Sequence, residues 1–320
     1  EQTPQIVAEA VRLLHPAGIM ESALQLVVGD GSAGAALVAD PRTAGVAFTG
    51  STEVGRAINR ALATKDGPIV PLIAETGGIN AMIADATALP EQVTDDVVTS
   101  AFRSAGQRCS ALRLLCVQDD VADRVLTVIA GAARELVLGD PRDPATQVGP
   151  VIDAEAHGKL MGWIARMEQR SALRFRWDKG RSLPPGHFVP PSIVELKSAG
   201  ELTEEVFGPV LHVVRWRARD LDRLIGEIAA NGYGLTLGIH SRIDATVRRI
   251  IARLDNGNVY VNRSMIGAVV GTQPFGGSRL SGTGPKAGGP NYLHRFALEQ
   301  VVTVNTAAAG GNAALLSGGS

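Results

Sequence analysis

The chain has 320 residues, of which 45% are hydrophobic and 20% are charged, and its formal net charge at pH 7 is −1. That length accommodates one large or two ordinary domains, and the balanced charge gives no sign of a nucleic-acid or membrane partner. No apolar run is long enough to span a bilayer, and the two cysteines, Cys109 and Cys116, do not suggest a disulfide framework, so we expect a reducing, cytoplasmic setting.

Apolar periodicity and turn residues predict alternating helices and strands along the chain. Helices are predicted over residues 5–14, 53–63, 90–104, 120–136, 153–168, 219–230 and 243–253. Strands are predicted over 24–28, 44–48, 69–74, 81–83, 112–117, 189–194, 236–240, 258–261 and 301–306. The alternation in the second half indicates a parallel sheet and an α/β fold.

Two glycine-containing turns in the first third are candidates for a phosphate site. The turn at 29–34 follows the predicted strand 24–28 and matches a dinucleotide-binding pattern, but no acidic residue follows in a clear second strand, so a plain turn fits equally well. Gly50 and Ser51 lie between a predicted strand and a predicted helix, where backbone N–H groups and the helix dipole suit a pyrophosphate. An ordinary N-cap at Ser51 is the alternative.

Cys109 and Glu75 are the candidate reactive side chains. Cys109 lies in a glycine-containing loop directly after Arg108, and nearby positive charge lowers a thiol pKa, so we expect an activated nucleophile. Glu75 ends an apolar run before two glycines, which is a good position for a general base. A buried structural thiol and a solvated strand-end carboxylate are the alternatives, and Cys116 is predicted to be core.

The remaining polar features favour structural roles. Residues 170–186 are polar and basic, which is typical of a solvated edge, and residues 262–290 are rich in glycine, which is typical of a loop system. Backbone N–H groups in such a loop can form an anion nest, although a simple connector is the alternative. The histidines show no ligand spacing, so we predict no metal site and structural roles for His212 and His240; Trp163 and Trp177 are predicted to be packing residues.

Five motifs occur in order along the chain: FTGSTEVG at 48–55, ETGG at 75–78, GQRC at 106–109, EVFGP at 205–209 and PFGG at 274–277. Together they resemble the aldehyde dehydrogenase superfamily over nearly the whole chain. Three longer stretches are similar to its glutamate semialdehyde dehydrogenase members, including those within bifunctional proline-catabolic enzymes: SAGQRCS at 104–110, NRSMIGAVVG at 262–271 and SGTGPKAGGP at 281–290.

The resemblance implies a partial Rossmann-type NAD layer over 1–74, a catalytic domain on a parallel sheet over 75–290, and a return segment over 291–320. That last segment would carry an oligomerisation strand for a homodimer and a flexible tail. The positions implied to bind NAD are Glu1, Gly50, Ser51, Val54, Glu205 and Phe207. The family pattern also expects an Asn oxyanion donor and a Lys upstream of Glu1. We therefore expect this chain to be a fragment that, alone, binds NAD poorly and turns over slowly or not at all.

The implied reaction is oxidation of L-glutamate 5-semialdehyde to L-glutamate, the second step of proline catabolism. Cys109 would be the nucleophile and Glu75 the base for water. The substrate would be held by Arg108, Ser110, Gly267, Ala268 and Phe275. A full-length parent would add a proline dehydrogenase domain with FAD.

Four other functions stay open from the sequence. The first is an aldehyde dehydrogenase for another substrate, and the second is a variant that discharges its thioester to coenzyme A. The third is an acyltransferase that uses Cys109 without NAD and needs a histidine beside the thiol. The fourth is a non-catalytic oligomerisation scaffold.

Overall fold

The structure is a computed structural model that describes residues 1–178, 185–269 and 271–305. The described residues form eight α-helices: α1 Pro4–Leu14, α2 Gly31–Ala39, α3 Thr52–Ala63, α4 Pro90–Phe102, α5 Asp119–Glu135, α6 Ala154–Gln169, α7 Leu221–Ala230 and α8 Asp244–Ile251. They also form eleven strands: β1 Val46–Thr49, β2 Leu72–Glu75, β3 Ala81–Ala84, β4 Leu114–Gln118, β5 Leu173–Arg176, β6 Ser192–Leu196, β7 Val210–Trp216, β8 Tyr233–Gly234, β9 Thr236–His240, β10 Asn258–Val261 and β11 Ser278–Arg279.

A seven-stranded sheet with the order β10-β9-β3-β4-β7-β6-β5 forms the centre of the molecule. All its neighbouring strands are parallel except β5 and β6, which are antiparallel. Strands β3 and β9 are buried at every residue, which explains why they are continuous apolar runs instead of alternating ones. The predicted α/β class and the parallel catalytic sheet are therefore confirmed.

The first part of the chain is built differently. Strands β1 and β2 form a separate two-stranded parallel sheet, with α3 as their crossover. Between residues 1 and 72 only Val38 and Gly55 are buried, so little of the core comes from this region. This small two-stranded sheet with its crossover helix is compatible with the partial layer predicted over residues 1–74. The domain boundaries themselves stay a prediction.

Most predicted elements of the second part are confirmed within a few residues, and β9 and β10 have the predicted bounds. The strand predicted at 24–28 is wrong: these residues form no strand, and Val28 is 65% exposed. The strand predicted at 301–306 is also wrong over its described part, 301–305, where Val301 is 90% exposed. An apolar run becomes a strand only where a neighbouring strand pairs with its backbone.

One strand was missed within the stretch predicted as a solvated edge. Strand β5 pairs with β6 there, with Phe175 facing the core and the flanking Arg174 and Arg176 exposed. Two further calls fall outside the described residues: the basic residues at 179 and 181, and the flexible tail at 307–320.

The fold brings several loops to one edge of the central sheet. The segments that precede β3, β4 and β7 all lie at the amino ends of these parallel strands. The carboxyl end of β2 reaches the same edge, because Thr76, the residue after it, donates its backbone N–H to Ser281 O in the glycine-rich loop system. This edge carries the candidate site.

No described helix combines the length and the apolar character that crossing a membrane requires. Within the same described ranges, no group of three or more His, Cys, Asp or Glu side chains is arranged to hold a metal ion.

Candidate active site

Cys109 is held in a tight loop between α4 and β4. The loop begins with a 3₁₀ turn at Arg103–Gly106, in which Ser104 and Ala105 have left-handed φ values of 55° and 51°. Gly106 has a φ of +64°, and a Cβ there would lie 2.2 Å from the backbone oxygen of Gly208. Only glycine fits such a close approach in that conformation. The loop is therefore locked against the segment that leads into β7.

A buried asparagine fixes the other end of this loop. The Asn80 side-chain amide donates to Cys109 O at 2.7 Å and to Ala111 O at 2.9 Å, and its oxygen accepts the backbone N–H of Thr236 at 3.1 Å. Asn80 itself is buried. It thus ties the nucleophile loop to the starts of β3 and β9. Asn80 was not predicted as a site residue, because an asparagine shortly after two glycines is typical of a turn.

The electrostatics of Cys109 contradict one expectation. Burial raises the pKa of the Cys109 thiol, and the charges of Glu205 and Glu75 raise it further, against a smaller lowering by backbone N–H groups. Arg108 is exposed, and its guanidinium donates to Ser104 Oγ at 3.1 Å and to Ile266 O at 3.5 Å. The prediction that Arg108 lowers the pKa of Cys109 is wrong, and the thiol needs a base.

Glu75 lies at the end of β2, as predicted. Its Oε2 accepts the backbone N–H of Gly277 at 3.0 Å, while its buried Oε1 has no hydrogen-bond partner among the described residues. Burial raises the pKa of Glu75 to about 7, against a lowering by the Gly277 N–H and by Lys286. A carboxyl group with that pKa exists in both protonation states near neutral pH, which suits a general base.

Arg113 is a central residue that the sequence analysis missed. Its side chain is 0% exposed and donates to Gly106 O at 2.6 Å, to Arg108 O at 3.0 Å and to Glu205 Oε1 at 3.3 Å. Its guanidinium also lies 4.9 Å from the centre of the Phe207 ring. A charged residue inside the apolar run of a predicted strand was the available signal, since such a charge is seldom buried without a partner.

Glu205 completes this buried pair. A Cβ at Gly77 would lie 1.8 Å from Glu205 Oε2, so the carboxylate packs directly on the double glycine after Glu75. Burial raises the pKa of Glu205, while Arg113 and the Gly78 N–H oppose that rise. The structure therefore brings Glu75, Cys109 and Glu205 together from three separate parts of the chain.

The predicted cofactor residues of the first layer surround the start of α3. Ser51 Oγ accepts the backbone N–H of Val54 at 3.2 Å, so Ser51 is an N-cap, and Gly50, Ser51 and Val54 are all exposed. Glu1 precedes α1, where its carboxylate accepts a hydrogen bond from Gln2. The described contacts do not bring Glu1 to the cysteine loop.

A cleft of about 550 Å³ lies between α6 and residues 204–207, and Glu205 is among the residues that line it. Phe207 lines it and is 44% exposed, which is unusual for an aromatic side chain between two buried neighbours. Glu53, in the first turn of α3, acts electrostatically on Lys159 in the cleft wall. The cleft thus has an exposed aromatic ring in its wall, and the first turn of α3 lies within electrostatic reach of that wall.

The predicted substrate residues lie on two further loops. Ser110 is buried next to Cys109, and residues 262–269, which we call the anchor loop, carry Gly267 and Ala268. The contact between Arg108 and Ile266 joins the anchor loop to the cysteine loop. Phe275 pairs through its backbone with Ala287, and a Cβ at its neighbour Gly276 would lie 2.7 Å from Glu75 Oε1. These loops therefore border the same site.

The prediction of satisfied structural histidines is confirmed for His212, whereas neither ring nitrogen of His240 has a hydrogen-bond partner among the described residues. His212 and His240 are fully buried, and burial lowers the pKa of each to about 4. The Trp163 indole N–H donates to His212 Nε2, so the His212 Nδ1–H donates to Arg113 O at 3.0 Å. The acyltransferase alternative needs a histidine beside Cys109, and the structure places two carboxyl groups there instead.

Comparison with known proteins gives a consistent result. A model of the aldehyde dehydrogenase family matches residues 1–302. The chain is 53% identical over 305 residues to the bifunctional protein PutA of Klebsiella aerogenes, which covers 92% of this chain and 23% of that protein.

Two solved structures give the same result at the level of the fold. A crystal structure of bifunctional proline utilization A (PutA) matches with a TM-score of 0.93 and 70% identity, over 97% of this chain and 31% of the other. A 1-pyrroline-5-carboxylate dehydrogenase from Thermus with bound NAD matches with a TM-score of 0.84 and 34% identity, over 90% of this chain and 56% of the other. The chain thus spans less than a third of the length of these bifunctional relatives.

Proposed function

Because the chain belongs to the aldehyde dehydrogenase family, we propose that its site oxidises L-glutamate 5-semialdehyde to L-glutamate with NAD. The observation that carries this proposal is the proximity of a half-buried thiol, Cys109, to a carboxyl group, Glu75, whose pKa is about 7. A nucleophile and a base on separate elements suit a reaction that has a covalent stage and a hydrolytic stage.

In the first stage the Cys109 thiol loses its proton. Glu75 is near enough to affect the thiol electrostatically, and as a carboxylate it can accept that proton and later release it to solvent. The Cys109 sulfur then forms a bond to the aldehyde carbon, and the carbonyl oxygen takes up negative charge. The backbone N–H of Cys109 is the proposed donor to that oxygen, and one such donor contributes roughly 10²–10³ in rate.

The described residues around the cleft fit the nicotinamide end of NAD. Arg113 holds Glu205 in place, and the Phe207 ring forms an apolar wall above the guanidinium. Glu205 is the proposed ligand of the ribose, and Gly50, Ser51 and Val54 at the start of α3 would hold the pyrophosphate. When bound there, NAD would supply the hydride acceptor, so that the carbon attached to Cys109 is oxidised to a thioester.

In the second stage the Glu75 carboxylate takes a proton from water. The oxygen of that water attacks the thioester carbon, the carbon–sulfur bond breaks, and the Cys109 sulfur leaves to be reprotonated. The arrangement suits this step because the Gly277 N–H fixes Glu75 Oε2, while burial raises the pKa of the carboxyl group to about 7 and so makes it a stronger base than an exposed one.

Substrate selectivity would come from the anchor loop. Backbone N–H groups at Gly267 and Ala268 would bind the α-carboxylate, assisted by Ser110, and the Phe275 ring would pack on the aliphatic part. Arg108 adds positive charge at the join between the two loops. The names of the relatives support this choice of substrate, since one is a bifunctional protein PutA and another is a 1-pyrroline-5-carboxylate dehydrogenase.

Two features of the whole protein belong to the same proposal. The similarity to bifunctional PutA supports a longer parent that carries a proline dehydrogenase domain with FAD. Residues 301–305 would pair with a second copy in a homodimer, which would bury the exposed Val301 and Val302.

The test follows NADH absorbance in the intact gene product with two aldehydes of equal length, glutamate 5-semialdehyde and pentanal. We expect a strong preference for the semialdehyde and complete loss of activity in Cys109→Ala. Equal rates would refute the substrate and leave an aldehyde dehydrogenase of another specificity. Absence of NADH with either aldehyde would refute the dehydrogenase and favour a scaffold or an acyltransferase.

A further inference from the structure

Helix α4 carries a row of polar side chains at a spacing of four residues: Gln92, Asp96 and Ser100. The Gln92 amide donates to Asn262 O at 2.7 Å, and Ser100 Oγ accepts the backbone N–H of Met265 at 3.1 Å. Asp96 lies between them and interacts with the backbone N–H of Ser264. Residues four apart share one helix face, so this face follows the first residues of the anchor loop.

The contacts follow the same order along both segments, since Gln92, Asp96 and Ser100 of α4 contact residues 262, 264 and 265 in turn. The first residue of the anchor loop is also held by a segment other than α4. The Asn262 side chain exchanges two hydrogen bonds of 3.0 Å with the backbone of Ser241. The anchor loop therefore runs along α4 in a defined register instead of crossing it at one point.

Ser100 also links the anchor loop to the segment that carries the candidate nucleophile, Cys109. Helix α4 ends at Phe102, so the backbone oxygen of Ser100 has no partner within the helix. It accepts the backbone N–H of Leu112 at 3.0 Å, three residues after Cys109. One residue thus binds the cysteine segment with its main chain and the anchor loop with its side chain. Both Ser100 and Met265 are fully buried, so water cannot replace the second bond.

We propose that Ser100, with Gln92, is a positioning residue that sets the distance between Cys109 and the anchor loop, and thereby the selectivity for an aldehyde that carries a carboxylate. This inference rests on the proposed function. Ser100 touches neither substrate nor cofactor in this account. Its effect passes through Met265 to the N–H groups at Gly267 and Ala268, whose position decides whether the carboxylate is bound while the aldehyde carbon lies against the sulfur.

The test compares Ser100→Ala with Thr94→Val in the intact gene product. Thr94 lies on the same helix, is equally buried, and donates its hydroxyl to Pro90 O at 2.8 Å within that helix. We expect the KM for glutamate 5-semialdehyde to rise about tenfold in Ser100→Ala, the effect of one lost hydrogen bond of ordinary strength. The KM for pentanal and all values in Thr94→Val should stay within about twofold. Ser100→Thr, which keeps the hydroxyl, should restore most of the selectivity.

A second measurement does not depend on the reaction. Amide hydrogen exchange of peptides that cover 262–269 should be faster in Ser100→Ala than in Thr94→Val, and moderately faster in Gln92→Ala, an exposed position that tolerates truncation. Unchanged exchange in the anchor loop would overturn the inference even if the enzyme oxidises neither aldehyde, the result that refutes the proposed function. Equal increases in KM for both aldehydes would also overturn it, because the hydroxyl would then support the core without affecting selectivity.

Discussion

Replacing Arg113 by methionine should destabilise the catalytic region strongly, although the ion pair itself contributes little net stability. Burial lowers the pKa of Arg113 and raises the pKa of Glu205, so in both residues desolvation outweighs the attraction of the partner. A buried pair of this kind is costly to form, but removing one partner leaves a buried charge without compensation.

The size of the effect follows from the exposure of the two side chains. Breaking a buried ion pair costs roughly 3–5 kcal/mol. Glu205 retains 18% exposure, whereas Arg113 has none, so solvent screens part of the remaining charge and we expect about 3 kcal/mol, near the lower end of that range. Methionine has a similar length, so cavity formation adds little.

The assay is urea unfolding of the 320-residue chain, followed by tryptophan fluorescence, since Trp163, Trp177 and Trp216 all lie in the part of the chain that builds the central sheet. The double variant Arg113→Met with Glu205→Gln removes the remaining charge as well as its partner. It should recover about half of the lost stability. A loss below about 1 kcal/mol in Arg113→Met, or a double variant as unstable as the single one, would refute the reasoning from the buried charge.

Two further predictions concern reactivity. Burial raises the pKa of Glu75 to about 7 while Lys286 lowers it, so kcat should fall below pH 7 as the base becomes protonated, and Lys286→Met should move that fall to higher pH while Lys286→Arg should not; a profile unchanged in Lys286→Met would contradict this. Iodoacetamide should label Cys109 and leave Cys116 unmodified in the native protein, because Cys116 is fully buried and burial raises its pKa strongly; equal labelling of both, read by peptide mass spectrometry, would contradict the structure.

Local sequence patterns predicted most strands of the central sheet, although β5 and β7 were not predicted. Strands β9 and β10 were found at their observed bounds because each is a short apolar run between turn residues, followed or preceded by an amphipathic helix. The strand predicted at 24–28 and the described part, 301–305, of the strand predicted at 301–306 are absent for a non-local reason. Their apolar residues are exposed in the single chain, and a strand exists only where another backbone pairs with it, which the pattern of one segment does not report.

The predictions for the candidate site also separate into those that local sequence supports and those that depend on residues distant in sequence. Cys109 and Glu75 could be identified as candidates because each lies in a glycine-containing stretch next to a predicted strand. The direction of the Cys109 pKa could not be inferred, because adjacency along the chain is not adjacency in space. Arg108 directly precedes Cys109, but its guanidinium donates to Ser104 and Ile266. Glu205 is far away in sequence, yet it lies close enough to raise the thiol pKa.

Arg113 and Asn80 show a second limit of the sequence. Their importance comes from hydrogen bonds to backbone oxygens, including Gly106 O for Arg113 and Cys109 O for Asn80. Any residue can supply such an oxygen, so no side-chain motif identifies the partner. A buried charge in an apolar run is the most that the sequence offered in advance.

In the proposed reaction, Cys109 carries a thioester, and water activated by Glu75 hydrolyses it. The most direct measurement is intact mass spectrometry of Glu75→Gln in the full gene product, mixed with NAD and glutamate 5-semialdehyde at alkaline pH, where the thiol can ionise without the carboxylate. We predict one NADH per site and a glutamyl adduct on Cys109, absent when Cys109→Ala is added. If Glu75→Gln turns over at the rate of the protein without the substitution and shows no adduct on Cys109, the proposed thioester reaction is contradicted.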